Sequence, residues 1–124
     1  MSTDHQIEEE IQAKGKTAPR VTPSDIEASI VSEYYFTAME GVEGTDPKST
    51  VYGQWDEEFP AELGLLTFCV LVMKNGFTVT GESACASPEN FDPEIGRRVA
   101  RANAVQKLWP LMGYALKQDL HRAT

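Results

Sequence analysis

Three arginines stand within five positions in the stretch "SPENFDPEIGRRVARANA", residues 87–104. Arg97 and Arg101 are four residues apart and Arg98 and Arg101 are three apart, so on a helix they can share a face. One guanidinium group can donate two parallel hydrogen bonds to the oxygens of a phosphate, and the free amides in the first turn of a helix also attract anions. The spacing is therefore compatible with a site for a phosphate-bearing ligand.

Three further side chains suit a nucleotide-like ligand. Phe91 or Phe77 can stack on a base, and Asn90 can donate to and accept from a base edge. The predicted ligand-binding set is thus Arg97, Arg98, Arg101, Asn90, Phe91 and Phe77, and the predicted partner is a small anionic nucleotide-like molecule.

A second interpretation of the arginines stays open. Glu89, Asp92 and Glu94 lie close in sequence and can neutralise them as solvated ion pairs, each worth about 0–1 kcal/mol. An exposed helix face with mixed charge has this composition without binding anything.

The residue types needed for catalysis or metal binding are sparse. His5 and His121 lie near opposite ends of the chain, and Cys69 and Cys85 form no Cys-x-x-Cys motif. Glu82 can face Cys69 across a hairpin, but no histidine is near to activate the thiol. We therefore expect no enzymatic activity, no cofactor and no metal.

Charge is unevenly distributed in a chain of net charge -8. Residues 1–62 hold 14 acidic and 4 basic residues, whereas residues 63–124 hold 5 and 7. This balance argues against general nucleic-acid binding, which needs Lys and Arg to neutralise phosphates. An alternative function is an acidic protein that binds and inhibits a host protein, with Trp55 and Phe59 as contacts in the acidic segment 41–62.

The longest nearly apolar run, "LGLLTFCVLVM", has 11 residues, which is too few to cross a bilayer. The acidic start "MSTDHQIEEE" lacks the pattern of a signal peptide. We expect a protein of the cytoplasm without a membrane partner.

Two elements are predicted ahead of the arginines. Thr22 and Pro23 mark a helix start, and Ile26, Ile30 and Tyr34 recur every four residues, which predicts a helix over 23–38. The runs around Asn75–Gly76 predict a hairpin with a two-residue turn.

That turn sets the predicted face of the hairpin. It pairs Val72 with Val79 and would turn one set of residues to the core: Phe68, Val70, Val72, Phe77 and Val79. Leu71 and Met73 would be left uncovered on the other face, which predicts a homodimer or higher oligomer.

The remaining segments complete the predicted architecture. Asp92–Pro93 opens a long C-terminal helix that Pro110 should kink, residues 1–20 are predicted to be a flexible acidic tail, and 41–62 an acidic loop with a short edge strand at Val51–Trp55. The fold class is α+β: an antiparallel hairpin or small three-stranded sheet packed by two helices, in one domain over 21–124.

Two stretches, "PRVTPSDIEASIVSEYYFTA" and "NGFTVTGESACASPENFDPEIGR", resemble a family of small tailed-phage proteins named after gene product forty-nine of one phage and gene sixty-six of another. The chain is also similar to phage "sponge" proteins that disarm the Thoeris defence system. The resemblance implies a phage protein in the bacterial cytoplasm that sequesters a cyclic nucleotide or a cyclic ADP-ribose-type signal. It does not define the residues of a binding site.

Overall fold

The sheet is antiparallel and three-stranded, with strands in the order β1–β2–β3. The structure is a computed structural model that describes residues 3–53 and 58–124. The strands are β1 (Ile30–Thr37), β2 (Leu66–Met73) and β3 (Thr78–Ala84). The α-helices of the described residues are α1 (Thr3–Ala13), α2 (Pro23–Ser29), α3 (Ala38–Glu43), α4 (Pro47–Thr50) and α5 (Pro93–Arg122). Short 3-10 helices span Ala61–Leu65 and Pro88–Asn90. The predicted α+β class with a three-stranded sheet is confirmed.

Helix α2 begins where the sequence predicts and ends much earlier. A capping box joins Thr22 and Asp25, each donating its backbone amide to the other's side-chain oxygen, at 2.9 and 3.1 Å. The helix stops at Ser29, and the predicted helix over 23–38 is wrong beyond that residue. Residues 30–37, "IVSEYYFT", are rich in β-branched and aromatic types, which favour strands when a partner strand is present.

Strand β1 is the third strand of the sheet, and its partner is the hairpin strand β2. The edge strand predicted at Val51–Trp55 is absent from residues 51–53, and residues 54–57 lie outside the described part of the chain. The segment 41–62 instead contains the end of α3, the short α4 and the first residues of a 3-10 helix.

The hairpin turn has three residues rather than the predicted two. Met73 donates its amide to the Phe77 carbonyl at 2.8 Å, and Gly76 donates to the Met73 carbonyl at 2.9 Å. Gly76 has φ +87°, the left-handed conformation that closes a three-residue hairpin loop. Because one residue is added to the turn, Leu71 pairs with Val79 and Val72 with Thr78. The predicted pairing of Val72 with Val79 is wrong by one residue.

Val79 of β3 is buried as predicted, but the shift turns the residues of β2 to the opposite sides, because successive side chains of a strand alternate. Cys69 and Leu71 are fully buried and Met73 is 7% exposed, so the prediction that Leu71 and Met73 are uncovered is wrong. We call their side of the sheet the packed face. The opposite side, with Tyr34, Phe36, Phe68, Val70 and Val72, we call the open face; Phe68, Val70 and Val72 were predicted to meet the core.

Helix α5 covers the packed face at very short range. A Cβ atom at Gly81 would lie 2.1 Å from the Ala100 carbonyl oxygen and 2.3 Å from the Ala104 amide nitrogen. Ala100, Ala104 and Leu108 are buried in this contact. Helix α5 continues through Pro110, and the kink predicted there stays a prediction.

Helix α1 lies in the segment that was expected to be a flexible tail. Asp4 accepts hydrogen bonds from the Trp109 indole and from the Gln106 amide, both at 3.1 Å, and Glu8 pairs with Arg20. These polar contacts, rather than burial, hold the helix, since none of its described residues is buried.

Candidate functional site

The three arginines occupy different environments on the first turns of α5. Arg101 is 28% exposed and is bound by two carboxylates, whereas Arg97 and Arg98 are exposed. Neither Arg97 nor Arg98 makes a hydrogen bond or an ion pair with any residue of 3–53 or 58–124. The shared arginine face predicted from spacing therefore divides into one engaged and two free guanidinium groups.

Arg101 is held by carboxylates that lie far away in sequence. Its guanidinium donates to both oxygens of Glu27 at 2.7 and 3.2 Å and to both oxygens of Glu33 at 3.0 and 3.1 Å. The hydrogen bonds that Arg101 donates to Glu27, and then those to Glu33, raise the pKa of Arg101. These contacts tie α5 to α2 and to β1, so Arg101 has a structural role and is not free for a ligand.

The same network continues into the core through Tyr35. The Arg101 hydrogen bond lowers the pKa of Glu33, and the Tyr35 hydroxyl donates to Glu33 at 2.6 Å. Burial raises the pKa of Tyr35 and also that of Cys69. The Cys69 thiol is therefore held in its protonated, unreactive form at neutral pH.

The amides of the first turn of α5 are also engaged. Asp92 accepts from the amides of Glu94 and Ile95 at 2.9 and 3.2 Å, and its carbonyl accepts from Gly96 at 2.9 Å. The helix start, which was expected to attract an anion, is thus capped by an internal carboxylate. A ligand at this end of α5 would have to be bound by side chains.

A cleft of about 350 Å³ lies beside Arg97, at the end of the sheet where β1 ends and β2 and α5 begin. We call it the β1–α5 cleft; Tyr35, Thr37, Glu40, Thr67, Phe91 and Arg97 line it. Phe91 is half-buried there, and its ring would lie 3.8 Å from a Cβ atom at Gly96. The structure therefore brings Arg97 and Phe91 of the predicted set to one place.

The other predicted residues lie elsewhere. Phe77 follows the hairpin turn and is 57% exposed. Because Thr67 pairs at the opposite end of the hairpin, Phe77 lies about 20 Å along the strands from the cleft. Asn90 is exposed at the end of a 3-10 helix and does not line the cleft.

Arg98 and Arg101 line a second, larger cleft of about 600 Å³ between α1, α2 and α5. Two of its carboxylates already have partners, since Glu27 binds Arg101 and Asp4 accepts from Trp109, although Arg98 is free of partners within 3–53 and 58–124. In the β1–α5 cleft, by contrast, Arg97 and the Thr67 hydroxyl have no partner among the described residues. The smaller cleft combines a free guanidinium, an unpartnered hydroxyl and the predicted ring of Phe91, and we therefore take it as the candidate site.

Thr67, Thr37 and Glu40 are site residues that the sequence analysis missed. Thr67 is a lone polar residue in the apolar run "LLTFCVLVM", and this could have marked it as a site residue. The register predicted for the hairpin placed its side chain on the wrong face of the sheet. Thr37 and Glu40 form a capping box at the start of α3, with hydrogen bonds of 2.9 and 3.2 Å. This capping box was not predicted, because residues 23–38 were predicted to form one continuous helix.

Comparison with protein-family models matches residues 21–120 to the phage protein (N4 Gp49/phage Sf6 gene 66) family. The chain belongs to this family. The match covers the sheet, α2 and nearly all of α5, and it leaves out α1. Searches of curated proteins and of solved structures gave no significant match. Among the described helices, none has the length and apolar character needed to span a membrane.

Proposed function

We propose that this phage protein is a non-catalytic binding protein that sequesters a cyclic nucleotide or a cyclic ADP-ribose-type immune signal in the bacterial host cytoplasm. The observation that carries the proposal is the unpaired guanidinium of Arg97 beside the half-buried Phe91 in the β1–α5 cleft. A guanidinium fork suits a phosphate, and an aromatic ring suits a base. Family membership supports a phage context for such a ligand.

The size of the cleft fits a small molecule rather than a macromolecule. Its volume of about 350 Å³ lies within the range of about 300–1,000 Å³ that is usual for small-molecule sites. Glu40, the acid that lines the cleft, accepts from the Thr37 amide and hydroxyl, at 2.9 and 3.2 Å. Its charge is thus partly compensated by these donors, which lessens its repulsion of a phosphate.

Binding is tested by calorimetry with a panel of cyclic dinucleotides and cyclic ADP-ribose isomers. We expect at least one member to bind wild type and Arg97→Ala to weaken that binding by 10-fold or more, since a lost charged hydrogen bond costs about 1.5–3 kcal/mol. Arg97→Lys should recover little if the guanidinium binds through two donors. Arg98→Ala is the matched control, because it removes an adjacent free arginine that does not line the cleft. A panel without any binder would refute the proposal.

We also propose that a second copy of the chain covers the open face. Tyr34 is 55% exposed there and Phe36 38%, and Phe36 packs against Phe68 with ring centroids 5.6 Å apart. Aromatic side chains that remain exposed in a monomer are typical of the centre of an interface. Self-association was predicted from the sequence, but through Leu71 and Met73, which the structure shows to be buried.

Light scattering at micromolar concentration tests this second proposal. Wild type should have at least twice the mass of one chain, and Val70→Lys should lower it to that of one chain while the protein stays folded. Thr80→Lys, on the same face but in β3, tests how far the contact extends across the sheet. A wild-type mass of one chain would refute the dimer without affecting the ligand proposal.

A further inference from the structure

Thr67 is the one polar side chain in the core of the described residues. It is 3% exposed, lies on the packed face, and precedes Cys69 and Leu71 on the same side of β2. Its hydroxyl oxygen is buried and has no hydrogen-bond partner within residues 3–53 and 58–124. A buried hydroxyl without a partner destabilises the folded state, so its presence in a tight core calls for a reason.

The neighbouring groups do not supply the missing hydrogen bond. Thr37 and Ser83 face Thr67 from the two adjacent strands, where hydroxyl pairs often form across a sheet. The Thr37 hydroxyl is instead engaged by Glu40, at 3.2 Å from both its amide and its carboxylate. Thr67 is thus surrounded by polar neighbours without being bonded to any of them.

Gly96 places the backbone of α5 directly over this hydroxyl. A Cβ atom at Gly96 would lie 3.0 Å from the Thr67 oxygen, which is closer than a side chain normally comes. Arg97 is the next residue along α5, and Phe91 lies within 3.8 Å of the same Cβ position. The unpartnered hydroxyl therefore lies beside the backbone of Gly96 and close to the Phe91 ring, in the cleft that Arg97 also lines.

We infer that the Thr67 hydroxyl is a positioning group of the β1–α5 cleft, which obtains its hydrogen bond by donating to a phosphate oxygen of the bound ligand. This inference rests on the proposed function and adds a second contact to the phosphate at Arg97. Because Gly96 covers the oxygen in the free protein, the first turn of α5 shifts when the ligand enters. The free protein is thus destabilised by a group that only the complex satisfies.

The test replaces the hydroxyl by a methyl group of nearly equal size. Thr67→Val should raise the melting temperature by roughly 3–8 °C, since an unsatisfied polar group is removed from the core. It should also weaken binding of the cyclic nucleotide that binds wild type by 10-fold or more. Thr80→Val makes the same chemical change at an exposed position of β3 and should alter neither quantity appreciably.

Two additional measurements separate positioning from packing. Thr67→Ser keeps the hydroxyl and should retain affinity within about 3-fold, even though it loses a buried methyl and is less stable. Amide hydrogen exchange in residues 94–97 should change on ligand binding in wild type and much less in Thr67→Val.

The possible outcomes are distinct. If wild type binds a panel member and Thr67→Val binds it equally well, the inference fails and the proposed function stands. If Thr67→Val is less stable than wild type, the hydroxyl already has a partner in the folded protein, and the inference fails as well. If wild type binds no member of the panel, both the proposed function and this inference are wrong.

Discussion

The two faces of the sheet are made from alternate residues of one apolar run, yet only one of them is covered. On the packed face Cys69 and Leu71 are fully buried beneath α5, whereas on the open face Val70 and Val72 are half-buried and Tyr34 is 55% exposed. Average hydrophobicity does not distinguish these residues, since both sets are apolar. The face that is covered is the one where small side chains let helix α5 approach the sheet closely; these residues are Gly81, Ala100 and Ala104.

The largest effect should come from closing the space that allows this approach. Gly81→Ala would place a methyl group 2.1 Å from the Ala100 carbonyl oxygen, and the backbone of α5 cannot move aside as a side chain could. We expect a loss of more than about 3 kcal/mol in the free energy of unfolding, or no folded protein. Chemical denaturation measures this.

Gly113→Ala is the control for that substitution. No atom lies within 4 Å of a Cβ built at Gly113, so the variant should gain up to about 1 kcal/mol from helix propensity. If Gly81→Ala were as stable as wild type, the close contact between α5 and β3 would be wrong.

A second prediction compares neighbouring residues on opposite faces. Leu71→Ala should cost about 2–5 kcal/mol because it leaves a cavity in the core. Val70→Thr, one residue earlier and on the open face, should cost less than about 1 kcal/mol. Denaturant titration of both variants gives the comparison, and a larger cost at Val70 would restore the register predicted from a two-residue turn.

The third prediction concerns the edge of the packed face, where Arg101 joins α5 to α2 and β1. Arg101→Ala should cost about 1 kcal/mol, because its partly exposed ion pairs with Glu27 and Glu33 act together. Arg97→Ala should change stability by no more than about 0.5 kcal/mol. Thermal denaturation of the two variants tests whether Arg101 stabilises the fold and Arg97 does not. Equal losses of stability in the two variants would contradict this difference.

The smallest expected effect is a pH dependence carried by Glu33. Its pKa is lowered in the folded protein by the Arg101 hydrogen bond, so its contribution is present above the unfolded pKa and is lost as the pH falls through the folded value. Glu33→Gln should therefore be less stable than wild type at pH 7, by under about 1 kcal/mol, and equal to it at strongly acidic pH. Denaturation at both pH values tests this, and a difference that grows on acidification would contradict it.

Local signals in the sequence predicted the starts of two helices well. The Thr22–Pro23 start of α2 and the Asp92–Pro93 start of α5 were both predicted, because caps depend on residues within one turn. The end of α2 was missed, since the sequence 30–37 fits a helical stripe as well as a strand, and only pairing with β2 decides between them.

The candidate site was predicted in part for the same reason. Arg97 and Phe91 lie six residues apart and meet at the start of one helix. The partners of Arg101 are 68 and 74 residues away, so nearby acids were the natural candidates and proved not to be the ones used. Thr67 reaches the cleft only through the pairing of three strands.

By itself the sequence determined the α+β class, the hairpin, and the long terminal helix with a cluster of arginines at its start, because each depends on periodicity, turn residues or caps within a few positions. The tertiary structure decided which hairpin face is the core, which arginine is paired, and where a polar group is left without a partner. One residue in the turn reverses every side chain of a strand, and ion pairs form between residues that only the packed fold brings together. The chemistry of the site depends on those long-range decisions.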